Sequence, residues 1–345
     1  MMSLIIFCDP FDVPCSCCEG HHFWVFLILM FLAYLPRDTS LGFSDLMYPA
    51  PLTNAPSTKN SHLFTKFTLF FLKKGYTYYY TKEAAMTFYI FDVDGVLTDE
   101  HARPSEEVLH TIEKLHKQNE HLAFITGRSR KWLADNIFSS LDEEEDWSGL
   151  FCVAEHGAIK GKGPDVEKWE LDKDFVVSDD VKDKLIKISQ KQDYDGLIEW
   201  DDTKESMGTV ESVHGDPEDK EHLKKTQKAL NAYSKEAEEV ADKHNKKVVV
   251  STYGVDVVPQ DLSKKIGAEW VFGQASAEGK PVYVFGDSHG DFVMAETACQ
   301  CGAKDVTFFW VGDGDAPESK DENITIKSSN ENYAKGTLEV LNELL

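Results

Sequence analysis

The stretch from residue 91 to residue 99, Phe-Asp-Val-Asp-Gly-Val-Leu-Thr-Asp, constrains this chain more than any other. It ends the apolar run 87–91, which predicts a buried strand. Side chains alternate along a strand, so Asp92 and Asp94 start on the same side, and Gly95 permits a sharp turn. Two carboxylates this close are costly unless a cation offsets their charge. The pattern therefore indicates either a metal site or an Asp-rich solvated loop.

A second apolar run, residues 121–125, also ends in small and polar residues, Thr126-Gly127-Arg128. The Thr126 hydroxyl could bind a phosphate oxygen, and Arg128 could add positive charge. The simpler interpretation is that Thr126 only caps the helix predicted to follow. For Thr126 taken alone, the capping interpretation is the stronger one.

Two adjacent lysines, Lys264 and Lys265, follow Ser263 at a predicted helix start. The helix dipole favours anions at that end, so a lysine there has no local explanation. A lysine held beside a bound phosphate would explain it, and an ordinary surface lysine is the alternative. Either lysine is a candidate for such a contact.

The fourth junction follows the apolar run 281–285 and has the sequence Gly-Asp-Ser-His-Gly-Asp at residues 286–291. Asp287 could bind a cation directly at the strand end. Asp291, about one helical turn later, could orient that ion or its waters. The alternative is a plain strand–loop–helix junction with a capping aspartate.

Together the four junctions are far more specific than any one of them. In chain order, DxDGxxTD, an apolar strand with Thr-Gly-Arg, a Lys and GDSxGD resemble the haloacid dehalogenase-like phosphohydrolases from Met86 to the C-terminus. The resemblance implies Asp92 as the nucleophile and Asp94 as the general acid and base. It also implies that Thr126 and Lys264 hold the transferred phosphoryl group.

The same resemblance implies a bound Mg²⁺ ion. Its ligands would be Asp92, the main-chain carbonyl of Asp94, and Asp287, with Asp291 in support. The ion offsets charge on the transferring phosphoryl oxygens, and an aspartyl-phosphate divides one difficult displacement into two easier ones. The enzyme class implied is a phosphoric monoester hydrolase.

Strands alternate with helices predicted at 104–115 and 129–140, which indicates an α/β fold with a Rossmann-like parallel sheet and right-handed crossovers. The strand-end motifs then meet at one edge of that sheet, where such folds bind ligands.

Residues 160–258 are too many for a loop. They contain three strand candidates and one long helical stripe, at 196–200, 207–213, 247–252 and 223–244. The resemblance implies that they form an α/β cap domain over the active site. The core would then consist of residues 86–159 and 259–345.

Residues 154–158, Ala-Glu-His-Gly-Ala, look like a stretch of the trehalose-6-phosphate phosphatases. This resemblance makes trehalose 6-phosphate the favoured substrate and implies a part in trehalose biosynthesis. Glu155 and His156 could bind sugar hydroxyls or form a structural turn between sheet and cap. Gly127 and Arg128 are further substrate-binding candidates.

Glu199 and Lys204 lie in a stretch similar to that family's cap motif, in which a Glu and a Lys contact the sugar. The alternatives are another sugar phosphatase, of the sucrose-phosphate or mannosyl-glycerate-phosphate type, and phosphomannomutase. A mutase cap is usually strongly basic, and the acidic cluster over 193–202 disfavours it. A catalytically silent, membrane-tethered scaffold is the alternative from another class.

The first 85 residues are a different kind of sequence. The apolar segment 23–35 is shorter than the roughly 20 residues of a membrane-spanning helix, and the linker-like stretch 49–58 follows it. Residues 1–85 are expected to be dispensable or foreign to the natural product, or else to tether the protein to a membrane. Only in that last case is membrane contact expected.

Residues 1–85 carry equal numbers of acidic and basic side chains, so the net charge of −24 lies entirely on residues 86–345. This acidic body argues against nucleic acid as a partner and leaves a small phosphorylated sugar. Seven cysteines at irregular spacing do not form a disulfide framework. Reduced thiols indicate a cytoplasmic protein.

Overall fold

The computed structural model describes residues 4–5, 67–73, 76–82 and 86–345, apart from residues 119, 214–218 and 252. The chain divides into two compact units, Met1–Ala84 and Ala85–Leu345. The predicted apolar segment 23–35 and the linker-like stretch 49–58 lie outside the described residues.

The described part of the first unit is a three-stranded antiparallel sheet. Its strands are β1 (Leu4–Ile5), β2 (Phe67–Lys73) and β3 (Tyr76–Lys82), in the spatial order β1-β3-β2. Strands β2 and β3 pair antiparallel over their whole length. The sequence of this region has no clean periodicity, which is why no strands were predicted there.

The second unit begins with alternating strands and helices, as predicted. They are β4 (Phe88–Phe91), α1 (Glu106–Lys117), β5 (His121–Ile125), α2 (Arg130–Asn136), β6 (Phe151–Ala154), β7 (Ile159–Lys162) and β8 (Glu170–Leu171). Ser105 and Ser129 cap the two helices by accepting a hydrogen bond from a main-chain N–H three residues later. Helix α2 is shorter than predicted because the chain tightens into a 3₁₀ turn at residues 138–140.

Strand β7 turns back antiparallel to β6, β8 pairs antiparallel with β7, and the two strands widen the sheet at its edge. The chain therefore stays in the central sheet well past residue 160, where the sequence placed the start of the cap. The physical reason is a hairpin that pairs with β6 before the chain leaves the sheet. The cap that we propose starts after β8, at about Val177, the first residue of its apolar cluster.

The inserted region is a second, smaller α/β layer. It contains α3 (Asp179–Ser189), β9 (Ile198–Trp200), β10 (Gly208–Ser212), α4 (Lys220–Lys243), β11 (Lys246–Val250) and β12 (Gly254–Pro259). The four strands form an antiparallel sheet in the order β11-β12-β10-β9. The three strand candidates and the long helix were predicted; α3 and β12 were not, because α3 is short and Asp256 interrupts the apolar run of β12.

One face of the cap sheet is apolar and the other is polar. Leu185, Leu230, Tyr233 and Val257 are buried between the sheet and the two cap helices. Strand side chains alternate, so neighbours such as Glu211 project from the opposite face. This polar face is the one turned toward the central sheet, as the contacts described below show.

The chain then returns to the central sheet. The remaining elements are α5 (Lys264–Gln274), β13 (Pro281–Gly286), α6 (Phe292–Gln300), β14 (Asp305–Trp310), β15 (Ile324–Ser328) and α7 (Tyr333–Leu344). The eight strands lie in the order β15-β14-β13-β4-β5-β6-β7-β8; neighbours from β15 to β6 pair in parallel, and the β6–β7 and β7–β8 pairs are antiparallel. This confirms the predicted α/β fold with a parallel central sheet.

Strand order reverses direction between β4 and β13, which are neighbours at the centre of the sheet. In open α/β sheets the crevice at such a reversal is the ligand site. Stacked rings of Phe91 and Phe285, 4.7 Å apart, hold the two strands beneath it. None of the described helices combines the length and apolar character that crossing a bilayer requires.

Candidate active site

The first and fourth motifs leave adjacent parallel strands. Phe91 of β4 pairs with Phe285 of β13, and the Asp92 N–H donates a hydrogen bond to the Phe285 carbonyl at 3.1 Å. Asp92 and Asp287 therefore start side by side at the carboxyl edge of the sheet. Parallel pairing alone brings these two carboxylates together.

Gly95 is required for the close approach of the two motifs. Its φ is +67°, and a Cβ at this position would lie 2.1 Å from Oδ2 of Asp287. The Gly95 N–H donates to the Thr98 hydroxyl at 2.9 Å, which closes the turn. A residue with a side chain would meet both backbone strain and a clash with Asp287.

Lys264, the first residue of α5, reaches the acidic cluster. Its Nζ lies 2.7 Å from Oδ1 of Asp92 and 2.5 Å from Oδ1 of Asp291, and the residue is only 9% exposed. Lys265 instead lies on the outer side of the helix, 3.7 Å from Glu269. Of the two lysines left open by the sequence, only Lys264 is at the site.

Three carboxylates form a cluster that suits a hard cation. Asp92, Asp287 and Asp291 each offer an oxygen, and these oxygens lie within 4.8 Å of one another. Asp291 is oriented by Ser288, which donates from its N–H at 3.0 Å and its hydroxyl at 2.7 Å. The buried Asp92 Oδ1 receives no well-directed hydrogen bond, so its contact with Lys264 is an ion pair.

The electrostatics of the cluster also fit a cation. Burial and the neighbouring carboxylates raise the pKa of Asp92 well above its usual value, although Lys264 opposes this. Burial and Asp291 raise the pKa of Asp287 to about 7. Burial lowers the pKa of Lys264, but Asp291 and Asp92 outweigh it and raise that pKa overall. Oxygen-rich, partly uncompensated acidic clusters of this kind are what Mg²⁺ binds.

Arg128 is committed to two carboxylates. Its Nε donates to Asp94 Oδ2 at 2.8 Å and its Nη2 donates to Asp94 Oδ1 at 2.9 Å, which makes a bidentate pair. Its Nη1 donates to Oε1 of Glu211, on cap strand β10, at 2.9 Å. The guanidinium therefore contacts Asp94 and Glu211, and substrate binding by Arg128 stays a prediction.

Thr126 and Gly127 lie beside the acidic cluster at the end of β5. Thr126 is fully buried, and its hydroxyl accepts a hydrogen bond from the Arg128 N–H at 3.1 Å. A Cβ on Gly127 would lie 2.8 Å from the His156 ring. From the cap, Lys204 donates to the Gly127 carbonyl at 2.6 Å. The predicted cap lysine is therefore next to the second motif.

Glu155 joins the sheet to the cap. It is fully buried, and its carboxylate accepts hydrogen bonds from the Glu205 N–H at 2.9 Å and the Ser206 N–H at 2.7 Å. The Ser206 hydroxyl adds a third, at 2.6 Å. Both oxygens are occupied, so of its two sequence interpretations the structure favours the structural turn over sugar binding.

His156 also faces the cap. It follows Glu155 in the left-handed region, with φ of +56°, and its Nε2 lies 3.4 Å from Oδ2 of Asp256. The Thr209 hydroxyl donates to the other Asp256 oxygen at 2.6 Å. Burial favours the neutral acid, but the His156 hydrogen bond and nearby cations outweigh it and lower the pKa of Asp256 to about 2.

Glu199 and Glu211 lie on the polar face of the cap sheet, and only Glu199 was predicted from the sequence. Glu199 is exposed and stands directly opposite Glu211 in the β9–β10 register, so both side chains project from the same face. Glu211 was not among the predicted residues. The only signal for it is alternation, because buried Val210 places its neighbour on the other face.

Comparisons with known proteins give one family match and several similar solved structures. A family model described as haloacid dehalogenase-like hydrolase matches residues 89–252. The search of curated protein sequences finds no match. A solved Thermoplasma acidophilum structure is 17% identical with a TM-score of 0.50, covering 75% of this chain and 98% of that one.

Two further solved structures are similar. A haloacid dehalogenase-like hydrolase from Bacteroides thetaiotaomicron is 14% identical with a TM-score of 0.50, covering 75% of this chain and all of that one, 100%. The trehalose-6-phosphate phosphatase of Aspergillus fumigatus is 19% identical with a TM-score of 0.41, covering 76% and 94%. Residues 89–252 thus match the haloacid dehalogenase-like hydrolases, the family that the four motifs in order resemble, and the chain is, as those motifs predicted, a phosphoric monoester hydrolase.

Proposed function

We propose that this protein is a Mg²⁺-dependent phosphatase that hydrolyses a sugar phosphate through a phosphorylated Asp92. One observation carries the proposal: Asp92 contacts Lys264 and lies within the same cluster as Asp287 and Asp291. A nucleophilic carboxylate, a cation for phosphate oxygens and a set of metal ligands thus meet at one point. An ordinary solvated loop has no need of such a buried arrangement.

The proposed reaction has two steps, the formation and the hydrolysis of an aspartyl-phosphate at Asp92. In the first, a carboxylate oxygen of Asp92 attacks phosphorus, the bond from phosphorus to the sugar oxygen breaks, and Asp94 gives its proton to the departing alkoxide. In the second, Asp94 takes a proton from water, the resulting hydroxide attacks phosphorus, and the bond to Asp92 breaks to restore the carboxylate. Lys264 and the Thr126 hydroxyl hold the phosphoryl oxygens in both steps.

The same carboxylates would hold the metal. Asp92, Asp287 and Asp291, with the main-chain carbonyl of Asp94, are the oxygen ligands that we assign to Mg²⁺. When bound, the ion would offset negative charge on the phosphoryl oxygens and on the crowded carboxylates. This would relieve the repulsion that raises the pKa of Asp287.

The cap face above the site supports a substrate rich in hydroxyl groups. It presents the carboxylates of Glu199 and Asp256 and the hydroxyl of Thr209, with Lys204 as the nearby cation. Carboxylates accept hydrogen bonds from hydroxyls and repel a second phosphate. This acidic face supports a sugar monophosphate over the bisphosphate that a phosphomannomutase must retain.

Within that class we favour trehalose 6-phosphate, on the similarity of residues 154–158 to the phosphatases that act on it. Because Glu155 is occupied by the cap, Glu199 and Lys204 are the residues that we assign to the sugar. Sucrose phosphate and mannosyl-glycerate phosphate are the alternatives within the same chemistry. A part in trehalose biosynthesis belongs to this proposal.

The experiment is phosphate release from a panel of sugar phosphates, measured with Mg²⁺, with EDTA, and with Mg²⁺ restored. We expect release from trehalose 6-phosphate that EDTA stops and Mg²⁺ restores, with Asp92→Asn as the inactive control. Isomerisation that depends on a sugar bisphosphate would instead indicate a mutase. If no ester of the panel released phosphate, the catalytically silent scaffold would be the remaining interpretation.

We also propose a cytoplasmic location and a small phosphorylated sugar, rather than nucleic acid, as the partner. Cys152, Cys299 and Cys301 are free thiols in the described part of the chain, as expected in a reducing compartment. Residues 1–85 are dispensable in this proposal. Mass spectrometry of the native N-terminus, together with phosphate release by a chain starting at Met86, tests that point.

A further inference from the structure

A chain of ionic contacts links the cap to the proposed acid and base. Glu211 of β10 accepts a hydrogen bond from Nη1 of Arg128, and the other side of the same guanidinium grips both oxygens of Asp94. Arg128 belongs to the core, so a single side chain touches a cap residue and the proposed proton donor. No residue of the cap other than Glu211 is hydrogen-bonded to the Arg128 side chain in the described residues.

Arg128 is held in a way that leaves it little freedom. The residue is 5% exposed, and its guanidinium lies 4.7 Å from the centre of the Trp132 ring. The planar guanidinium forms directed hydrogen bonds on two edges, one edge for Asp94 and one for Glu211. Loss of Glu211 would leave Nη1 buried without its partner, which favours a shift of the whole guanidinium.

Glu211 is not what docks the cap on the core. The cap loop 203–206 is attached by separate contacts: Glu155 binds the Ser206 main chain and hydroxyl, and Arg130 pairs with Glu205 at 2.5 Å. These contacts lie at the loop, not at β10. Glu211 therefore adds a link to Arg128 rather than a general attachment of the cap.

The strand register gives an independent reason to look for a role of Glu211. Glu199 stands directly opposite it, and like charges at such positions destabilise a strand pair. Burial raises the pKa of Glu211, against the effect of Arg128. A carboxylate at this position does not stabilise the sheet. The negative charge of Glu211 is instead compensated by Arg128 of the core.

We propose that Glu211 is a positioning residue: by holding Arg128 from the cap side, it fixes the orientation in which Asp94 faces the leaving oxygen. The inference rests on the proposed function, in which Asp94 transfers the proton. In this inference, Asp94 is correctly oriented only when β10 of the cap lies over the core. Asp94 would then be in position to donate its proton only when the cap covers the substrate.

The test compares Glu211→Gln with the wild type on esters that differ in their need for a proton. An alkyl or phenyl phosphate needs protonation of its leaving oxygen, whereas p-nitrophenyl phosphate has a good leaving group. We expect kcat for the former to fall about 10-fold or more, part of the range attributed to general acids. For p-nitrophenyl phosphate we expect a change within about twofold, since its leaving group needs no acid.

Two matched variants isolate the path through Arg128. Glu205→Gln removes the other arginine–carboxylate pair at the cap–core boundary, and we expect kcat for both esters to stay within about twofold. Adding Glu211→Gln to Arg128→Ala should cause no further loss, because the effect of Glu211 passes through Arg128. Thermal melting of each variant shows whether folding has changed.

Equal losses on both kinds of ester, an unchanged Glu211→Gln enzyme, or additive losses in the double variant would overturn the inference. A wild type that cleaves aryl phosphates but no sugar phosphate would refute the sugar substrate alone. The positioning role would still be tested on phenyl and p-nitrophenyl phosphate. A wild type that cleaves no ester would refute both.

Discussion

The ammonium of Lys264 lies 2.7 Å from the carboxylate of Asp92, although the two residues lie on either side of the cap region in the sequence. The inserted cap region separates them along the chain, and the parallel sheet brings them back together. Lys264 also contacts Asp291. A buried lysine shared by two carboxylates can neutralise one of them and still attract a phosphate oxygen.

Replacing Lys264 by Met should lower kcat by about 100-fold or more, the effect of removing a group that stabilises transition-state charge. The adjacent Lys265→Met is the matched control, because Lys265 is exposed and pairs only loosely with Glu269. We expect the control to keep its activity within about twofold. Steady-state phosphate release measures both, and equal losses would contradict the assignment of Lys264.

Replacing Gly95 by Ala should abolish activity and destabilise the fold. The left-handed φ costs roughly 1–2 kcal/mol for a residue with a Cβ, and the new Cβ would collide with Asp287. Gly196→Ala is the matched control, since its φ is +70° but nothing lies within 4 Å of its Cβ.

Urea unfolding of the two glycine variants separates strain from collision. Gly196→Ala should lose only about 1–2 kcal/mol of unfolding free energy and remain active. Gly95→Ala should lose roughly 1–3 kcal/mol more, as overpacking does, and should lose phosphatase activity as well. Equal stability losses with retained activity in both would show that the approach of Asp287 to Gly95 is unimportant.

Replacing Glu155 by Gln should destabilise the protein by about 1–3 kcal/mol. A glutamine turns an amide donor toward main-chain N–H donors that now bind the carboxylate, leaving buried groups unpaired. Glu199→Gln is the comparison, because Glu199 is exposed. It should leave the melting temperature unchanged and raise KM for the sugar phosphate. A raised KM with unchanged melting in Glu155→Gln would restore a sugar-binding role for Glu155.

Stability should fall in mild acid through His121. Its ring stacks on Phe88 at 4.5 Å, and burial, helped by Lys280, lowers the pKa of His121 to about 4. The unfolded chain protonates at the ordinary value of about 6.5, so unfolding takes up a proton between about pH 6.5 and 4. The contribution of neutral His121 to the free energy of unfolding is complete above about pH 6.5. It is lost as the pH falls toward 4, and the loss is at most about 3 kcal/mol.

His121→Phe should remove this contribution while preserving the stack on Phe88. The difference in unfolding free energy between variant and wild type should grow in favour of the variant from about pH 7 to about pH 4.5. Urea unfolding at the two pH values measures it. A difference independent of pH would show that His121 titrates normally in the folded protein.

Local sequence determined the strand-end carboxylates and the fold class. Apolar runs before Asp92, Thr126 and Asp287 predicted three strands, and parallel sheets gather such ends at one edge. Periodicity likewise predicted the long cap helix, although Leu223 of its stripe is 49% exposed. These features depend on residues a few positions apart, so they can be recognised from the chain alone.

Only the tertiary structure decided the partners. It placed Lys264 rather than Lys265 at the cluster, gave Arg128 to Asp94 and Glu211, and occupied Glu155 with the cap. The residues next to an arginine or a glutamate in the sequence do not indicate which distant side chain it will contact. Those contacts join distant segments, and they depend on how the cap seats on the core rather than on the pattern of neighbouring residues.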